Sequence, residues 1–148
     1  MINLNHSYTA NEVKKAIYTL GIELWKCGKR EISESGFRDA VSDASRAWDS
    51  SIVNLLAQEG ILFKNPGPGF EFVVTPTYDA LGGYIVANAL LIKYAQDVSF
   101  AWLNTPETIA LFTGDTSHEL ALDILRSLVT LAPRRMQGRQ IWQHVSSR

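Results

Sequence analysis

Val13, Ile17, Leu20 and Leu24 recur at intervals of three and four, which places them on one face of a helix. Thr9-Ala10-Asn11-Glu12, just before them, has the form of a capping box, with threonine at the cap and glutamate three residues later. The pattern predicts a helix from about Ala10 to Trp25, stopped at Gly28 with Lys29 and Arg30. A second helix is predicted from Glu34 to about Ala44, capped by Ser33, with Phe37, Ala40 and Val41 inward. A third opens at Asp49 or Ser50, carries Ile52, Val53, Leu55, Leu56 and Ala57, and ends at Gly60. The period then changes. Ile61-Leu62-Phe63 and Phe70-Glu71-Phe72-Val73-Val74 read as short strands rich in aromatic and β-branched residues. Between them, Asn65-Pro66-Gly67-Pro68-Gly69 suits a turn, because proline lacks an amide donor and glycine favours open φ values. Three helices followed by strand, turn and strand is the order of a winged helix.

Thr75-Pro76 predicts a cap and first position for a fourth helix reaching about Gln96. Gly82 and Gly83 inside it each cost roughly 1 kcal/mol relative to alanine, a cost that close packing usually offsets. Gly83 and Ala87 share a face and would let a second element approach. Beyond this, Phe100 to Leu103 lies in or near a helix, and Thr105-Pro106-Glu107 starts a short one carrying Ile109, Leu111 and Phe112 up to Gly114. Thr116-Ser117-His118-Glu119 is a second capping box, with His118 expected at the surface in the first turn. It introduces an amphipathic stretch with Leu120, Leu122, Ile124, Leu125, Leu128, Val129 and Leu131, stopped by Pro133. Arg134 to Gly138 forms a turn, and Arg139 to Val145 one or two last helical turns. The fold class expected is mainly α. A winged-helix unit over 1–75, with helices in 10–60 and the wing in 61–75, precedes a helical, array-like extension over 76–148.

Composition narrows the function more by exclusion than by assignment. The 148 residues are 46% hydrophobic and 20% charged, with a net charge of −1, so nothing in the totals asks for nucleic acid or an anionic surface. A single cysteine, Cys27, rules out a disulfide within the chain and suits a cytoplasmic setting. The most apolar run, Tyr84 to Ile92, contains Asn88 and falls short of the roughly 20 residues of a membrane span. No membrane partner and no signal peptide are expected. Gly28-Lys29 has neither the glycine five positions earlier nor the following Ser or Thr of a phosphate loop. His6, His118 and His144 are far apart in sequence, and Cys27 has no ligand near it in the chain. Asp115 and Glu119 read as acids at a helix start. No catalytic, cofactor-binding or metal-binding residue is therefore expected, no cofactor, and no enzymatic activity.

A winged-helix order raises DNA binding, with the third helix entering the major groove. The candidate recognition face is Arg46, Asn54 and Gln58, with Lys64 on the wing. Asn54 and Gln58 are spaced to read adenine edges, but solvated polar residues on an amphipathic helix account for them equally. Phosphate neutralisation supplies most DNA affinity, and Asp49, Glu59 and Glu71 leave this surface neutral to slightly acidic. The basic region is C-terminal instead. Arg126, Arg134, Arg135 and Arg139, with Trp142, form a candidate surface for a protein partner or a nucleic-acid backbone, unless they only complement a helix C-terminus.

The stretch from Asn54-Leu55-Leu56-Ala57-Gln58-Glu59-Gly60-Ile61-Leu62, through Phe70-Glu71-Phe72, to Thr77-Tyr78-Asp79-Ala80-Leu81-Gly82-Gly83-Tyr84-Ile85-Val86-Ala87 resembles the region after the ATPase in NACHT-type STAND NTPases, notably bacterial antiviral ones. The segment from Glu119 to Val129, ending at Pro133-Arg134-Arg135, is similar to the first helix of their sensor arrays. The resemblance covers about residues 35 to 145, through short and mostly apolar motifs. It implies a winged helix that packs against an ATPase and restrains it, followed by a sensing array. The chain has no Walker A or Walker B segment, so no nucleotide contact carries over, and Tyr78, Gly83, Tyr84 and Ala87 match packing positions. The expected function is a non-catalytic regulatory or protein-interaction module, its partner an upstream ATPase domain or a second copy of itself. The alternative is a winged-helix DNA-binding transcriptional regulator. An enzyme ranks third.

Overall fold

A computed structural model describes residues 8–43, 45–97, 101–113 and 117–135. In these the chain forms α1 (Ala10–Cys27), β1 (Ile32–Ser33), α2 (Glu34–Ala40), a 3-10 turn (Trp48–Ser50), α3 (Ile52–Gln58), β2 (Leu62–Pro66), β3 (Phe72–Pro76), α4 (Asp79–Lys93), a second 3-10 turn (Ala101–Asn104), α5 (Pro106–Phe112) and α6 (Ala121–Arg135). The protein is mainly helical, with one small antiparallel sheet.

The caps of α1 and α2 were legible in the sequence. Thr9 Oγ1 accepts from the Glu12 amide while the Glu12 carboxylate accepts from the Thr9 amide, so both halves of the capping box are present. α1 ends at Gly28, whose φ of 71° suits a residue without Cβ and whose N–H bonds to the Leu24 carbonyl. Ser33 caps α2 through the Gly36 amide. α2 stops at Ala40 rather than near Ala44. Ser42 takes a left-handed φ of 60°, and the amides of Ser42 and Asp43 turn back to the carbonyls of Asp39 and Arg38. Asp49 and Ser50 do not open the third helix. They lie in the 3-10 turn, and Ser51, fully buried, caps α3 through the Asn54 amide.

The sheet has the order β1-β3-β2. Lys64 and Ile32 flank Val74 from either side, and Phe63 pairs with Thr75. β1 was not predicted, because two residues carry no periodicity to detect. The hairpin is longer than expected on one arm and shifted on the other. Pro66 closes β2, and Thr75 and Pro76 belong to β3 instead of capping the next helix. Pro76 is tolerated because β1 ends opposite Val74, so no strand on that side needs its missing N–H. α4 accordingly starts at Asp79, with Tyr78 at its cap, and ends at Lys93, short of Gln96.

α4 lies between α1 and α6. A Cβ on Gly21 would come within 2.6 Å of the Ile85 carbonyl, and one on Gly83 within 2.4 Å of the Asp123 backbone. The expected close approach at Gly83 is therefore real, and α6 is the element that uses it. α5 begins as predicted, with Pro106 in its first turn and Thr105 accepting from the Thr108 amide. α6 runs through Pro133 to Arg135. A proline in the last turn removes one intrahelical bond, which is not enough to end a helix already packed on α4. One apolar core joins Leu20 and Leu24 of α1, Phe37 of α2, Leu56 of α3, Val74 of β3, Val86 and Leu90 of α4, and Ile124 and Leu128 of α6. Gly114, Thr116 and the segment predicted from Arg139 to Val145 lie outside the described residues.

Candidate interaction surface

The β2–β3 hairpin exposes three phenylalanines. Phe70 is fully solvent-exposed, and Phe63 and Phe72 are each a little over 40% exposed. Lys64, proposed from the sequence as a wing cation, is held inward. Its Nζ sits 4.1 Å from the centre of the Trp48 ring and 4.3 Å from that of Phe72. The Glu34 carboxylate lies 3.5 Å from the same ammonium. A cation between two rings and beside a carboxylate is already balanced, and it offers little to a phosphate. The exposed part of the hairpin is thus aromatic, with Glu71 as its exposed acid.

The proposed face of α3 is split by the fold. Gln58 is exposed, but Asn54 is only 9% exposed and its amide donates to the Asp49 carbonyl at 3.3 Å. Asn54 locks the 3-10 turn onto α3 and does not face outward with Gln58. Arg46 lies apart from both, over the Tyr8 ring at 5.0 Å and 3.4 Å from Asp43. Asp43, 2% exposed, is the hub of this region. One of its oxygens accepts from the Tyr8 hydroxyl at 3.0 Å, and the other from the Ile52 amide at 2.7 Å, the first N–H of α3. Burial and the neighbouring Asp43 raise the Tyr8 pKa, because both disfavour a phenolate. Arg38 donates to the backbone carbonyls of Asp43 and Arg46 and lies 3.9 Å from Glu34. Glu34 is therefore shared by Arg38 and Lys64, and the polar chain from Tyr8 to the hairpin is continuous. Tyr8, Asp43 and Arg46 also border an open cleft of about 340 Å³ with Lys15 and Thr19 of α1.

His118 is not a surface residue. It is 2% exposed, and its ring joins α1 to the start of α6. Nδ1 accepts the Leu120 amide at 3.0 Å, so the ring proton belongs on Nε2, which lies 2.7 Å from the Leu24 carbonyl. Trp25 stacks on the ring, with centroids 6.0 Å apart. Burial lowers its pKa, against an opposing pull from the Leu24 carbonyl and Glu119. Beside it, Arg30 contacts both oxygens of Asp79 at 3.0 and 3.1 Å, and its amide donates to Glu119. Glu119, considered with Asp115 as an acid pair, is thus a tie between α6 and the α1 terminus. Asp115 lies outside the described residues.

Of the C-terminal basic residues, Arg126 is exposed on α6, next to Leu125 and Val129 in a shallow groove. Arg134 and Arg135 fall in the last turn of the same helix, while Arg139 and Trp142 lie outside the described residues. The fold does not bring Arg126 together with Arg46, Gln58 or Lys64. Among the described residues no cluster of three or more His, Cys, Asp or Glu is placed to hold a metal, and no helix is long and apolar enough to cross a membrane. Sequence reasoning missed Phe70, Phe63 and Phe72 as surface features, and the half-buried Trp48 as the ring over Lys64. The available signal was Phe70 itself, a phenylalanine set between Gly69 and Glu71 where a turn tip is normally polar. Comparison with protein-family models, with curated proteins and with solved structures finds no match for this chain.

Proposed function

We propose that the stretch from α1 to β3 is a winged-helix unit and that the chain acts as a non-catalytic regulatory module, contacting a protein through its wing. The order helix, strand, helix, helix, strand, strand, with the first strand beside the last, supports the winged-helix reading. The observation that carries the functional reading is the wing itself. Its tip presents a fully exposed Phe70, and its lysine is enclosed by Trp48, Phe72 and Glu34. Aromatic side chains anchor protein interfaces, whereas DNA-binding wings need free cations. The resemblance to the region after the ATPase in NACHT-type STAND NTPases fits this role and suggests a neighbouring ATPase as the partner, in antiviral defence. Arg126 on α6, with Arg134 and Arg135 in its last turn, favours the second reading, a DNA-binding transcriptional regulator.

Fluorescence anisotropy with a random-sequence duplex, at low and then near-physiological salt, separates the two. The module reading expects no binding at either. Tight binding at low salt that falls steeply with added salt, and weakens in Arg134→Ala/Arg135→Ala, would establish the DNA regulator instead. On the protein side, a photo-crosslinking residue at position 70 should trap a partner in cells, and one at the exposed Glu12 on α1 should not.

A further inference from the structure

From Ala80 to Ile92, α4 contains a single amide or charged side chain, Asn88. A helix apolar on every side belongs in an interior. Yet one stripe of α4 is open, with Tyr84 44% and Ile92 47% exposed, half-buried Leu81, and exposed Ala95 just past the helix end. Asn88 lies in the middle of this stripe. Tyr84 and Ile92 flank it four residues away on either side, and Leu81 and Ala95 seven residues away. Asn88 Oδ1 is shielded from solvent and has no hydrogen-bond partner. An unpaired buried acceptor is unfavourable, and a partner that supplies a donor relieves it.

We propose that this stripe is the contact between two copies of the chain, crossing antiparallel about a two-fold axis at Asn88. A two-fold contact must be self-complementary, so that each residue meets its mirror position. The stripe satisfies that condition. Tyr84 lies against Ile92 of the second copy, Leu81 against the small Ala95, and Asn88 against its own counterpart. A turn of the side chain lets each Asn88 amide donate to the other's Oδ1. A single asparagine in an apolar helix contact fixes register and orientation in this way. No charge lies on the stripe to repel its copy, and Asp79 and Lys93 sit at the helix ends. One helix pair buries less than the roughly 1,600 Å² of a standard interface, so the dimer is weak, with a Kd on the order of tens of micromolar. This goes beyond the wing reading and does not depend on it.

Sedimentation velocity on the full chain from about 5 to about 500 µM tests the contact. The wild type should pass from monomer to dimer across that range, and Tyr84→Glu and Asn88→Asp should each raise the dissociation constant at least tenfold. Asn88→Cys in a Cys27→Ser background should form a disulfide-linked dimer under mild oxidation, while Ser35→Cys in the same background should not. The crosslink reads proximity even if a charge variant folds poorly. A chain that stays monomeric throughout, or a dimer indifferent to both Tyr84→Glu and Asn88→Asp, overturns the proposal. So does a dimer lost in Phe70→Ser, which would place self-association on the wing. A monomeric wild type leaves the wing reading standing.

Discussion

In the layer formed by α1, α4 and α6, helices of 15 to 18 residues meet backbone to backbone through Gly21 and Gly83. Between β1 and β3 no element exceeds seven residues, and no such glycine contact joins the helices there. Short helices are marginal on their own. These add few residues each to the core, such as Phe37 and Leu56, and are held as well by caps and by a chain of polar ties through Asp43, Arg38 and Glu34. The first region is sensitive to added volume and the second to lost partners. Both regions leave apolar side chains outside, Tyr84 and Ile92 on α4 and Phe70 on the hairpin.

The largest effect should come from Gly83→Leu, which forces α6 off α4. A loss of at least about 3 kcal/mol is expected, on the order of 10 °C in Tm, read by circular dichroism melting. A single transition monitored also by tryptophan fluorescence would show that the two regions melt together, whereas two transitions would separate them. Asp43→Ala comes next. It strands the first α3 amide and leaves the Tyr8 hydroxyl only the Ser50 carbonyl, and should cost about 2 kcal/mol in urea unfolding. A milder loss than Lys64→Ala gives would break the view that polar ties hold this region.

His118 gives a pH test of the junction. Its folded pKa is lowered by burial, so the unfolded chain binds the proton more readily. Its contribution is complete above the unfolded value of about 6.5 and is lost as pH falls from there through the folded pKa. Stability measured between pH 7.5 and 5 should therefore decline more steeply in the wild type than in His118→Gln. Equal slopes would remove His118 from the account. Lys64→Ala should cost about 0.5–1 kcal/mol, its share of the Trp48 and Phe72 contacts. Phe70→Ser should change stability by less than about 0.5 kcal/mol in the same urea unfolding. A large loss of stability there would mean that Phe70 serves the fold.

The sequence by itself determined what is local. Caps at Thr9, Ser33 and Thr105, the stop at Gly28, and the apolar stripes of the helices follow from rules that reach only a few residues along the chain. The meaning of Gly83 was legible too, because a helical glycine calls for close packing. Only tertiary structure decided the rest. β1 exists because β3 is there to pair with it. Pro76 ends a strand because β1 stops short of it. Asn54 turned inward because Asp49 offered a carbonyl, and His118 did so because Leu24 and Trp25 close over it from some 90 residues away. The open stripe on α4 was hidden in the same way. An apolar helix looks alike all round in sequence, and only its packed neighbours, α1 and α6, fix which side is left uncovered.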